Sequence, residues 1–191
     1  MGQNNNSAHT YYQISKTQEL SPCQVILSEV SGSKLAFRNC LLSVKNMGWN
    51  LDYKKFRTLL SDKYDVEIAY YFIGYVEKYK GLYAGLKKDG YEVMNIEPTI
   101  LPDGNIKGNC DGDLIVEAMA NFAKYDKAII VASDGDYKRL VEYLKSNSKL
   151  ERVIGCSRCG CAVKLKRIAG NQIDFLDDFG QKVEYKQKRT P

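Results

Sequence analysis

The feature that most constrains this chain is an alternation. From Leu35 onward, short runs of apolar, β-branched and aromatic residues take turns with amphipathic stretches over roughly 145 residues. The spacing predicts a strand over 35–37, a helix opened by Asp52 as N-cap and reaching about Leu60, and a strand over 66–76. A helix over 79–88 follows, with Leu82, Tyr83 and Leu86 inward and Gly90 as its stop, and then a strand over 91–96. After a loop over 97–109 come a helix over 111–124, faced by Leu114, Ile115, Ala118, Met119 and Phe122, and the unbroken apolar run 128–132. Such a run suits a strand buried on both sides. A helix over 136–145, a strand over 152–155, a helix over 162–168 and a strand over 173–176 complete the pattern. Strands and helices in strict alternation imply an α/β fold, with a mostly parallel sheet and helices on both faces.

Residues 1–33 stand apart. They are rich in Asn, Gln, Ser and Thr around one short apolar patch, Val25-Ile26-Leu27, and read as a loose polar arm. The division expected is therefore an arm over 1–33, a folded domain over 34–180 and a basic tail over 181–191. Charge divides the same way. The chain carries 28 Lys+Arg against 23 Asp+Glu, a net +5, while its first 33 residues are net −1. A positive field of this size suits a polyanion such as RNA, and equally suits plain solubility.

Composition excludes several chemistries. The single histidine, His9, lies in the polar arm, which disfavours His general bases and His metal ligands and leaves catalysis to carboxylates. No apolar run approaches the ~20 residues of a membrane-spanning helix, so no membrane partner is expected. The N-terminus has neither a basic start nor an apolar signal core, which points to the cytoplasm and to reduced thiols for the six cysteines. Cys156, Cys159 and Cys161 cluster, but no fourth ligand lies nearby for zinc. Nothing in the sequence decides whether the chain forms a homo-oligomer.

In a parallel α/β sheet the working site lies outside the carboxyl ends of the strands. Two acidic clusters fall at predicted strand-to-helix turns: Lys107-Gly108-Asn109-Cys110-Asp111-Gly112-Asp113 and Ser133-Asp134-Gly135-Asp136-Tyr137. If they face one crevice, each pair of like charges at about 4 Å repels by roughly 4 kcal/mol at an effective dielectric of 20. Mg²⁺ or Mn²⁺ would offset that, since hard divalent ions take carboxylate oxygens and waters. A single Asp at such a turn more simply caps a helix. Two D-x-D pairs favour the metal. An EF-hand beginning at Asp103 fails, because Lys107 and Leu114 occupy positions that need oxygen ligands. A phosphatase or nucleotide-binding site fails for want of an early Asp-x-Asp-x-Thr or a Gly-rich phosphate loop.

These residues resemble the NYN domain of the PIN-like nuclease superfamily. The resemblance rests on Lys107-Gly-Asn-Cys-Asp111-Gly-Asp113-Leu, then Ile129-Ile-Val-Ala-Ser133-Asp134-Gly-Asp136-Tyr137 and Leu140-Val141. It extends to Tyr70-Tyr71-Phe72-Ile73-Gly74-Tyr75, Lys166-Arg167-Ile168-Ala169 and Asp174-Phe175-Leu176. It implies a Rossmann-like, PIN-like fold and metal-dependent hydrolysis of RNA. Carried over by position, Asp111, Asp134 and Asp136 would be catalytic metal-binding carboxylates, with Asp113 beside them and Ser133 shaping the turn. Lys107, Lys138 and Arg139 would contact the RNA backbone. Tyr70, Tyr71 and Tyr75 have strand spacing, which suits core and sheet face better than base stacking.

The departures from the family pattern are local. Its members open with a strand ending in Asp-Gly-x-Asn. Here Asn39 falls about where that Asp belongs, Cys40 replaces the Gly, and a plausible family helix resumes at Leu42. One reading is that residues 1 to about 41 derive from a divergent or shifted reading frame. Ala132-Ser133 replaces Ser-Gly, a milder change. Two functions follow: a metal-dependent ribonuclease, or a catalytically impaired RNA-binding or regulatory module on the same fold.

Overall fold

The computed structural model describes residues 21–29, 48–75, 77–96, 99–100, 106–107 and 110–186. Six strands form one parallel sheet: β1 (Ser21–Glu29), β2 (Ile68–Gly74), β3 (Glu92–Ile96), β6 (Tyr125–Val131), β7 (Leu150–Gly155) and β8 (Ile173–Phe175). Their spatial order is β3-β2-β1-β6-β7-β8. Two short strands, β4 (Thr99–Ile100) and β5 (Ile106–Lys107), pair antiparallel as a separate hairpin. The helices are α1 (Tyr53–Tyr64), α2 (Lys80–Lys88), α3 (Cys110–Ala120), α4 (Lys138–Ser146), α5 (Val163–Ala169) and α6 (Gly180–Val183).

Two cores result, one on each face of the sheet. On the first, Phe56 and Leu60 of α1, Tyr83 and Leu86 of α2, and Leu176, Phe179 and Val183 cover Tyr71, Ile73, Ile129, Val131 and Ile154. On the second, Leu114 and Ala118 of α3, Leu140, Val141 and Leu144 of α4, and Leu165 and Ala169 of α5 cover Phe72, Ala128, Ile130 and Val153. Ile129 and Ile130 thus face opposite cores, which is why β6 reads as an unbroken apolar run rather than an alternation. Asp52 caps α1 as expected, its carboxylate accepting from the Lys55 amide at 3.1 Å. Leu82 and Met119, expected inward, each remain 37% exposed at the rims of their helices.

The sequence boundaries need two corrections. Residues 21–29 belong to no loose arm: they form β1, hydrogen-bonded between β2 and β6 at the centre of the sheet. Three consecutive apolar residues beside Pro22, Gln24 and Ser28 carry a weak local signal, and pairing on both sides supplies what periodicity does not. Residues 181–185 are likewise part of the domain. Val183 is fully buried, Glu184 bridges to Leu51, and the Tyr185 amide donates to the Asn50 carbonyl at 2.7 Å. The strand expected over 35–37, and Asn39 with it, lies outside the described residues. Thiols throughout were expected, yet Cys156 is disulfide-bonded; Cys159 and Cys161 are free. No helix among the described residues is long and apolar enough to cross a membrane.

Candidate active site

Strand order reverses between β1 and β6, and the crevice outside their carboxyl ends is where such sheets bind ligands. From β6 the chain leaves through Ala132 and Ser133, both buried. Ser133 fixes that exit from two sides. Its hydroxyl accepts from the Cys156 amide beyond β7 at 2.8 Å, and its carbonyl accepts from the Ala162 amide ahead of α5, also at 2.8 Å. Asp134 follows in extended conformation and caps a single 3-10 turn, Gly135–Tyr137, by accepting from the Asp136 amide at 3.1 Å. Asp134 is half-buried and Asp136 exposed.

The second acidic cluster arrives from the other side of the crossover. Helix α3 packs against β1 and β2, which brings its first turn to the same end of the sheet. There the fully buried Tyr137 donates its hydroxyl hydrogen bond to Asp111 Oδ1. Burial raises the Asp111 carboxyl above its ordinary value. The bond from Tyr137 opposes that rise, and the charges of Asp134 and Asp136 add to it. Asp111 therefore senses the charges of Asp134 and Asp136. Asp113, also in the first turn of α3, is exposed.

Among the described residues the ion pairs involve Asp52, Glu77, Glu142, Asp174 and Asp178, and none involves Asp111, Asp113, Asp134 or Asp136. An all-oxygen donor set of this charge suits Mg²⁺ or Mn²⁺. The carboxylates are not drawn together in advance, however: among the described residues no group of three acidic, His or Cys side chains stands at ligating separation. The donor chemistry fits a divalent ion, and the ion itself would have to gather the ligands.

The remaining expected site residues are dispersed. Lys138 begins α4, half-buried, directly after the acidic turn. Arg139 is exposed and pairs with Glu142 on its own helix at 3.2 Å, so it is not drawn to the acidic trio. Lys107 lies in the hairpin opposite Thr99. One carboxylate residue escaped sequence reasoning. Glu29 ends β1, the strand next to β6, at the carboxyl edge of the sheet. The signal was an acidic residue closing the patch Val25-Ile26-Leu27, obscured because that patch had been set in the arm.

Residues 37–176 match the family model described as the NYN domain. That match begins after β1, so the central strand precedes it. Among solved structures, the chain is similar to the crystal structure of a protein of unknown function from Vibrio parahaemolyticus. The two share a fold at a TM-score of 0.69 and 22% identity, over 88% of this chain and 99% of that one. No curated protein matches the chain.

Proposed function

The chain belongs to the NYN domain family, a PIN-like nuclease family, and from that premise we propose that it hydrolyses phosphodiester bonds in RNA with the help of a divalent ion. The observation that carries this reading is that Asp111, Asp134 and Asp136 share the edge at the reversal of strand order, with no ion pair among the described residues to balance them.

Asp111, Asp134 and Asp136 would hold Mg²⁺ or Mn²⁺, with Asp113 and Glu29 at the same edge. Such an ion polarises the phosphate and lowers the pKa of a bound water. The chain's own contribution is placement. Ser133 locks the exit of β6, so Asp134 has a fixed origin; the amide of Asp136 orients the Asp134 carboxylate; Tyr137 orients that of Asp111. Lys138, next to the trio, would meet the phosphate backbone, and Lys107 would do so from the hairpin.

A second reading has its own support. Because no ligating cluster stands ready among the described residues, the same edge would serve a module that holds RNA without cutting it. One assay decides between the two: labelled single-stranded RNA incubated with the full chain and Mg²⁺ or Mn²⁺, beside Asp134→Asn and a chelator control. Cleavage lost in both controls supports hydrolysis. Salt-sensitive binding without cleavage assigns the second reading.

A further inference from the structure

Beyond β2 the chain stays at the carboxyl edge of the sheet before entering a helix. The Tyr75 amide donates to the Ile96 carbonyl at 3.0 Å, and Glu77–Tyr79 form a single 3-10 turn ahead of α2. Tyr75 packs its ring on the buried Tyr83, with centroids 5.3 Å apart, and donates its hydroxyl hydrogen bond to Glu77. Glu77 in turn pairs with Lys80 at 3.4 Å. Tyr79 is left 45% exposed, with Lys78 Nζ 4.9 Å from its ring centre.

The register sets the end of β2, from which this turn follows, level with the acidic edge. Leu27 of β1 pairs with Tyr71 on one side and Val131 on the other, and Gly74 and Asp134 each lie three residues beyond those partners. Among the described residues only β1 separates the two exits. They are thus two interstrand spacings apart, about 10 Å, which neighbouring nucleotides of one strand can bridge. Among the described residues the other exposed aromatics are placed differently. Tyr143 packs on Phe122 near the amino end of β6, and Tyr185 is tied through its backbone to Asn50. Tyr79 alone sits in a segment continuing a sheet strand beyond its carboxyl end.

A half-exposed ring with Lys78 beside it offers an unpaired base a π face and its phosphate a positive charge. Duplex RNA, whose bases are stacked inside, has no use for the ring. We propose that Tyr79, with Lys78 beside its ring, is a stacking platform for an unpaired base of RNA held at the acidic edge. This rests on the hydrolysis or RNA-holding reading of that edge.

The test is fluorescence anisotropy with a short labelled single-stranded RNA and the full chain in EDTA, which keeps the RNA intact, with unlabelled duplex RNA as competitor. Tyr79→Ala weakens binding about tenfold, within the range that loss of one stacked base produces. Tyr79→Phe, which keeps the ring, stays within about twofold of the parent on the same argument. The duplex competes poorly. Equal binding by the parent and Tyr79→Ala, an equal loss in Tyr79→Phe, or strong competition by the duplex overturns the platform. The two ideas fail separately: a parent chain that cleaves RNA while Tyr79→Ala binds and cleaves equally well removes the platform and leaves hydrolysis standing. A parent that neither binds nor cleaves removes both.

Discussion

Asp111 and Asp174 each accept a hydrogen bond from a tyrosine hydroxyl, yet their carboxyls move in opposite directions. Burial pushes both upward. At Asp174 the bonds from Tyr64, at 2.5 Å, and Lys63, at 3.2 Å, with the charges of Lys63 and Arg152, overcome that push and hold the carboxyl below its ordinary value. At Asp111 the bond from Tyr137 faces two further carboxylates and, among the described residues, no ion pair, and the carboxyl rises. A tyrosine partner is therefore not what sets the direction. The surrounding charge is: Asp174 ties α1 to β7 and β8 through Lys63 and Arg152, whereas Asp111 has Asp134 and Asp136 for neighbours.

The largest expected break in this comparison is catalytic. Asp134→Asn should lower metal-dependent RNA cleavage by about a hundredfold or more, since the ion's stabilisation amounts to several kcal/mol. Asp174→Asn should leave cleavage near the parent's rate in the same assay. Stability should show the reverse. In urea unfolding, Asp174→Asn should lose about 1–3 kcal/mol through weakened bonds to a charged acceptor. Asp111→Asn should unfold at a higher urea concentration than the parent, because it removes a carboxylate that burial and like charges disfavour. A fall there would mean that the acidic edge is already compensated. Tyr137→Phe is a smaller test, expected to cost about 1 kcal/mol for one hydrogen bond with packing retained.

The subtlest is the dependence on pH. Asp174 is held below the ordinary carboxylate value of 3.8. Its contribution is therefore complete above that value and is lost as pH falls through the lowered folded-state pKa. Acid unfolding followed by circular dichroism should be shallower in Asp174→Asn than in the parent. An unchanged acid limb would remove Asp174 from the stabilising network.

Legibility followed locality. The cap at Asp52, the buried run of β6 and the acidic turn after it were all readable, because each depends on residues adjacent in the chain. Strand β1 was not readable. Its three apolar residues resemble a chance patch until β2 and β6, from about 45 and 100 residues later in the chain, bond to either side of it. The same limit left Glu29 in the arm and Val183 in a tail, although Glu29 ends a central strand and the Val183 side chain closes the first core. Tyr79 lies in a predicted helix, where no periodicity marks a ring as exposed.

The sequence by itself determined that this chain alternates strands with helices and ends two of its turns in paired aspartates, because helical and strand periods and capping chemistry are local properties. Which aspartates are balanced was decided only by the fold. Tyr64 stands 110 residues from Asp174 in the chain, and Tyr137 stands 26 from Asp111. Coulomb's law acts over ångströms of space rather than positions in sequence. Packing α1 against β8 set Lys63 and Tyr64 on one carboxylate; setting α3 beside the exit of β6 gave the other Tyr137 and two more carboxylates.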